Sequence, residues 1–247
     1  MKDNYSNGKE DFHGNRDFYH LVKNSARNMI NKQKNNSLNE QTLLESAIDS
    51  IERNFSGIQF DSEPPKSSIE QYKEIFKTLY PNCEVKKEYD VLKRIKENIH
   101  DLNSRYLLIA SESSIGSFLL SSILEEEKNN NYSFYIGSPF EEDLHSEEYA
   151  SKVLNKIQSH MERGNILILK NLETVYPSMY DLFNQNFTVL GNKNYSRLAL
   201  GTNTNTFAYV DKNFRCIVNV EKSKLEQEEA PFLNRFEKHI LYYLKEK

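Results

Sequence analysis

Arg105-Tyr106-Leu107-Leu108-Ile109-Ala110-Ser111-Glu112-Ser113-Ser114-Ile115-Gly116-Ser117-Phe118 is the stretch on which the fold turns. Tyr106 to Ala110 is a short apolar run suited to a buried strand. A serine-rich turn follows it. Ile115, Phe118, Leu119 and Ile123 then recur at helical spacing. This strand–loop–helix unit is the first of several. Tyr132–Ile136 reads as a second strand, and Tyr149, Val153, Ile157 and Met161 trace a helix closed by Gly164. Ile166–Leu169 is a wholly apolar third strand, as strands buried on both faces of a parallel sheet are. Tyr180–Phe187 reads as helical, and Tyr195–Leu200 with Thr206–Val210 as a hairpin. Phe214–Val220 is a fourth main strand, and His239–Tyr243 fits a fifth strand or a helix. Such alternation predicts an α/β fold built on a parallel sheet with flanking helices.

Upstream the period is helical. Phe18, Leu21, Val22, Ala26, Met29 and Ile30 recur at helical spacing from Asn15 onward. Ser37 and Glu40 have capping-box spacing, and Leu43, Leu44, Ala47, Ile48, Ile51 and Phe55 trace the helix they open. Gly57 ends it, so residues 15–57 are expected to form a helical hairpin. The first ten residues are polar and read as flexible, and 61–68, with Pro64-Pro65, reads as a linker. Ile69 to Leu79 and Val91 to Leu102 read as two further short helices. The expected division is a helical segment over 1–60, a linker with helices over 61–104, and the α/β body over 105–247.

Composition narrows the class. The chain has 247 residues, 32 basic and 36 acidic, for a net charge of -4. The two signs are interspersed and no long basic block exists, so no nucleic-acid partner is expected. Tyr aside, no apolar run exceeds Leu107–Ala110 or Ile166–Leu169, so no transmembrane segment is expected. Cys83 and Cys216 are too few for a disulfide framework or a four-ligand zinc site, and no metal site is expected. A cytoplasmic setting is the expectation that follows.

Parallel sheets bind ligands beyond the carboxyl ends of their strands. After the first strand, a phosphate-binding loop would read G-x-x-x-x-G-K-[ST]. Here Ser111 stands for the first glycine, and Gly116-Ser117-Phe118 for Gly-Lys-Ser/Thr. The phosphate lysine and the magnesium-binding hydroxyl are both missing, which also fits an ordinary serine-rich turn. After the third strand, an acidic pair would hold magnesium and polarise water. Asn171-Leu172 stands there instead, and Glu173 is two residues on, where side-chain direction differs. Asn219 or Glu221 ends the fourth strand, where a polar side chain would orient the attacking water. Without an intact loop beneath it, either residue reads as vestigial.

A final run, Pro231-Phe232-Leu233-Asn234-Arg235-Phe236-Glu237-Lys238-His239, follows the fourth strand. With it go Arg16-Asp17-Phe18-Tyr19-His20-Leu21-Val22-Lys23, Leu198-Ala199-Leu200-Gly201-Thr202 and Asn213-Phe214-Arg215. In this order they resemble the mysterin family, giant AAA+ ring-finger E3 ubiquitin ligases with a dynein-like core. The resemblance implies a P-loop-like AAA+ sheet preceded by the small helical lid of an upstream AAA+ unit. It implies a nucleotide-incompetent body that binds no cofactor alone and lacks its own lid, and a chain that is a fragment of a longer protein. It also implies that Arg16 is a lid sensor and Arg235 a finger, both directed at ATP and magnesium in the upstream unit. Arg16 is equally open to pairing with Asp17 or Glu10, or to capping its helix, and Arg235 to pairing with Glu237 or Glu229. The implied partners are neighbouring AAA+ units of the same polypeptide and, through the parent, the ubiquitin machinery. Whether this piece is itself an enzyme stays open, since it holds neither an intact ATPase site nor a ligase site.

The rival reading is a free-standing, non-catalytic α/β interaction scaffold. A cysteine or serine hydrolase is disfavoured, because Cys216 lies mid-strand and no G-x-S-x-G elbow exists.

Overall fold

The computed structural model describes residues 14–55, 68–84, 90–112, 115–127, 131–200 and 204–241. The polar first ten residues, the 61–67 part of the linker, and Ser113 and Ser114 lie outside them. So do Gly201-Thr202 and Tyr242–Tyr243. The chain divides into two compact units, Met1–Arg94 with Glu237–Ile240, and Ile95–Phe236 with Leu241–Lys247.

In the first unit, α1 (Asn15–Lys34) and α2 (Glu40–Phe55) pack as a helical hairpin, and α3 (Ser68–Leu79) lies against α2. Leu44, Ile48, Ile51 and Phe55 bury one face of α2. Leu21, Tyr72 and Phe76 pack around the Ile51–Phe55 end, with the Phe55 and Tyr72 rings edge-on at 5.6 Å. The cap of α2 differs from the expected Ser37–Glu40 box. Asn39 accepts from the Thr42 amide at 2.9 Å, and Thr42 Oγ1 accepts from the Asn39 amide at 2.9 Å. The same reciprocal device is shifted two residues, with a threonine hydroxyl in place of a glutamate carboxylate.

The apolar stripe of α1 is only in part inward, through Leu21. Asp17 and Asn24 are buried, whereas Phe18, Tyr19, Val22 and Ile30 are each at least half exposed. The helical spacing read from the sequence is that of α1. Asp17 goes inward because it closes a local box on the Gly14 amide at 3.0 Å and takes Lys238 as a second partner.

The second unit carries the α/β body. Its strands β1 (Leu107–Ser111), β2 (Tyr132–Ile136), β3 (Ile166–Lys170) and, later, β7 (Arg215–Glu221) run parallel. Their order is β2-β3-β7-β1. All five residues of β1 and the first six of β7 are buried. Each buried Leu, Ile or Val there contributes roughly 1.5–3 kcal/mol. Helix α4 (Val91–His100) leads into it, and α5 (Ile115–Glu126) follows β1. After β2 come α6 (Glu141–Leu144) and α7 (Glu147–Arg163). Ser146 caps the start of α7, and Gly164 ends it with φ +68. The positive φ favours glycine there, and a Cβ on Gly164 would lie 2.5 Å from Asp211 Oδ1 and displace that carboxylate.

Between β3 and β7 the chain departs from simple alternation. The helical reading of 180–187 holds only for α8 (Tyr180–Phe183). Thr188–Leu190 (β4) then pairs with β5 (Lys193–Leu200), which pairs with β6 (Thr204–Val210), all antiparallel. The predicted hairpin is therefore two strands of three, and its inner face rests on α7. A short helix α9 (Ala230–Leu233) precedes β8 (Glu237–Leu241). The 239–241 part of the ambiguous C-terminal run is thus strand.

Candidate functional site

The carboxyl ends of β1, β3 and β7 hold the residues singled out in the sequence. Ser111 closes β1 and is buried. Its hydroxyl donates to Asn219 Oδ1 at 3.2 Å, across the β1–β7 pairing. Asn219 Nδ2 in turn donates to Ser117 Oγ at 3.0 Å, in the first turn of α5. Gly116 fits directly against this pair. A Cβ there would lie 2.0 Å from Ser111 Oγ and 3.1 Å from Asn219 Oδ1. Ser111, Gly116 and Ser117, the three loop residues singled out in the sequence, are therefore drawn together around Asn219. A phosphate needs inward N–H donors and a cation at such a turn. The Ser111, Asn219 and Ser117 side chains hydrogen-bond one another, and Phe118 is 74% exposed.

Asn171 follows β3 in a left-handed conformation, φ +55, which asparagine tolerates better than most residues. Its carbonyl is packed against Gly137, where a Cβ would approach to 1.7 Å. The Gly137 amide donates to Lys170 O at 2.8 Å. Leu172 is buried, and Glu173 is exposed beside Lys224 at 3.8 Å. No carboxylate thus ends β3; its last residue is Lys170.

Arg235 sits on an aromatic bed. Its guanidinium lies over the Tyr180 ring, 3.8 Å from the centroid, and it donates to the Pro231 carbonyl. Phe232 and Phe236 anchor the run on either side of it. Phe232 stacks on Tyr176 at 5.2 Å, and Phe236 meets Phe183 at 5.0 Å. Burial raises the Tyr180 hydroxyl above its ordinary value, partly opposed by the Arg235 charge. Neither periodicity nor motif pointed to Tyr180; only the proximity of an α8 aromatic to the α9 run reveals it.

Glu237, one of the two local carboxylates considered for Arg235, has other partners. Arg53 grips it in a fork, Nε to Oε1 at 3.1 Å and Nη2 to Oε2 at 2.9 Å. His239 Nε2 meets Oε1 at 3.1 Å. Burial works to raise the Glu237 carboxyl, but Arg53 and His239 outweigh it and hold it well below the usual carboxylate range. Arg16 lies exposed on the first turn of α1, in the unit that does not contain Arg235.

Cys216 is buried in β7, and burial pushes its thiol far above its ordinary value, the opposite of what a nucleophile needs. Among the described residues, no group of three His, Cys, Asp or Glu is placed to hold a metal ion. No described helix is long and apolar enough to cross a membrane.

Comparison with known proteins gives the lineage. Residues 96–245 match the family model described as the RNF213 AAA domain. The mouse E3 ubiquitin-protein ligase RNF213 is 31% identical over 246 residues, covering 94% of this chain. The human E3 ubiquitin-protein ligase RNF213 is 31% identical over 248 residues, and the zebrafish rnf213-beta 28% over 239. In each case the match spans 4% of the relative's own length. Both the α/β body and most of the helical segment before it lie within these alignments, and the chain belongs to the RNF213 AAA domain family.

Proposed function

We propose that this chain is a nucleotide-incompetent part of the AAA core of an E3 ubiquitin ligase. Residues 1–60 act as the lid of an upstream unit, 61–104 connect, and 105–247 form a body that has lost its own ATP site. Arg16 and Arg235 then serve as sensor and finger for ATP and magnesium bound by the upstream unit of the same polypeptide. The relatives' names supply the ligase context, and a cytoplasmic setting goes with it.

The Ser111–Asn219–Ser117 network supports the reading of incompetence, because these side chains form their hydrogen bonds with one another beside the turn where a phosphate loop would lie. The outward apolar face of α1 supports the lid assignment. Phe18, Val22 and Ile30 repeat at turn spacing and remain exposed, as a face awaiting another body would. Arg235 has the chemistry of a finger, since a guanidinium stays charged and donates in a planar fork.

ATP titration of the purified chain tests the first part, with no saturable binding expected. In the long relative, Arg16→Ala and Arg235→Ala test the second. Loss of a finger arginine lowers turnover by roughly 10³–10⁵. Unchanged ATP turnover in both variants would sink the assignment.

A further inference from the structure

Beyond β2, within the second unit, the chain makes a fixed turn that holds apolar side chains out in water. Ile136 is 58% exposed, Phe140 69% and Leu144 36%. The turn is tied at three points. The Gly137 amide donates to Lys170 O at 2.8 Å. The Ser138 amide donates to Tyr149 Oη at 2.7 Å, and the Phe140 amide to Ser138 Oγ at 3.2 Å. The Leu144 amide donates to Phe140 O at 3.3 Å, so these two side chains share one face of α6. A ring held in water by a turn with this many ties loses little freedom when something covers it, which is what a binding anchor requires.

The charge around the cluster has one sign. From Ile136 to Ser151 the chain carries Glu141, Glu142, Asp143, Glu147 and Glu148, and neither Lys nor Arg. Lys152 answers Glu148 at 2.6 Å. Among the described residues, Glu141, Glu142 and Glu147 form no ion pair. An anionic lipid surface or a nucleic acid would meet like charge here, which costs affinity, whereas a cationic partner meets its complement.

We propose that Ile136, Phe140 and Leu144 anchor a docking surface for a cationic amphipathic helix of a protein partner. Phe140 and Leu144 stand one helical turn apart, the spacing at which a facing helix repeats its own apolar side chains. The carboxylates of 141–148 form the rim, where Lys and Arg flanking that apolar stripe would sit. The surface is independent of the ATP reading, and needs neither Arg16 nor Arg235.

The test is fluorescence anisotropy on the whole chain with a labelled helical peptide of about fourteen residues, leucine on one face and lysine on the other. Saturable binding is expected, weakening as salt is raised. Phe140→Ser is expected to weaken it about tenfold or more, as loss of a central anchor does. Leu144→Ser gives the same reading if Phe140→Ser does not fold. Glu141→Gln, Glu142→Gln and Asp143→Asn together are expected to weaken binding and flatten its salt dependence. Phe207→Ser removes an exposed ring from β6 and should leave binding unchanged. No saturable binding overturns the proposal. So does equal binding by a peptide with glutamate in place of lysine, or equal binding by wild type and the anchor variant. Sedimentation showing that the chain pairs with itself through Phe140 overturns it too, since a second copy would then be the occupant.

Discussion

Ser111 donates its hydroxyl to the Asn219 carboxamide across 3.2 Å, and Gly116 sits so close that a Cβ on it would lie 2.0 Å from the same hydroxyl. Steric fit and hydrogen bonding therefore depend on one another at this turn. Gly116→Ala is expected to destabilise the chain by about 1–3 kcal/mol, the usual penalty of overpacking. Ser111→Gly removes the obstructing side chain. The double variant should recover part of the loss, giving a non-zero coupling energy in a double-mutant cycle. Strict additivity in urea denaturation would contradict the geometry.

Arg215 presents the opposite situation, a buried cation that serves structure. It donates to Asn98 Oδ1 at 2.7 Å, Ser104 Oγ at 2.9 Å and the Arg105 carbonyl at 2.9 Å, and lies over the Tyr106 ring at 5.4 Å. It joins the start of β7 to the end of α4 and the turn before β1. Arg215→Met keeps the stem but strands these acceptors, and is expected to lower unfolding free energy by about 3–5 kcal/mol. Arg215→Lys should recover only part of this, because one ammonium cannot reproduce a planar fork. A change below the error of denaturant titration would overturn the assignment.

Much of the sheet was readable in the sequence, and the reasons for the misses are local. Leu107–Ala110 and Ile166–Leu169 announce buried parallel strands because no polar residue interrupts them. Thr188–Leu190 escaped notice because three exposed residues carry no burial pattern. The burial of Asp17 in α1 carries no sequence signal, because its two partners lie at the helix's own N-terminus and more than two hundred residues away. At the candidate site, the loop residues and Asn171 could be singled out by their place after β1 and β3, but the Ser111–Asn219–Ser117 closure joins residues over a hundred positions apart. Tyr180 beneath Arg235 is likewise a tertiary fact.

Acid should weaken the first unit in a defined direction. Glu237 titrates below its unfolded value, so its contribution is present above the ordinary carboxylate range, about pH 4.3, and is lost as pH falls below it. Wild type is expected to lose stability steadily on acidification through that range. Glu237→Gln should start less stable at neutral pH and show a flatter acid limb. Parallel acid limbs for the two proteins would show that Glu237 is not a contributor.

The two thiols should behave differently. Cys83 is half-buried, while Cys216 is 1% exposed with its thiolate strongly disfavoured. A thiol reagent at neutral pH is expected to label Cys83 first and Cys216 only on unfolding. Rapid native labelling of Cys216 would reopen a nucleophilic role for β7.

Exposure along α1 separates a face that stabilises this chain from one that would serve a longer one. Leu44 is 1% exposed in α2, and Leu44→Ala is expected to cost about 2–5 kcal/mol. Phe18 and Val22 are 58% and 51% exposed, so Phe18→Ser and Val22→Ser should stay within about 0.5 kcal/mol of wild type in the isolated chain. In the long relative, where the lid reading places an upstream body against α1, the same two substitutions should destabilise markedly. Thermal unfolding of both forms makes the comparison. Equal effects in the two would mean that nothing covers this face and would remove the main support for the lid.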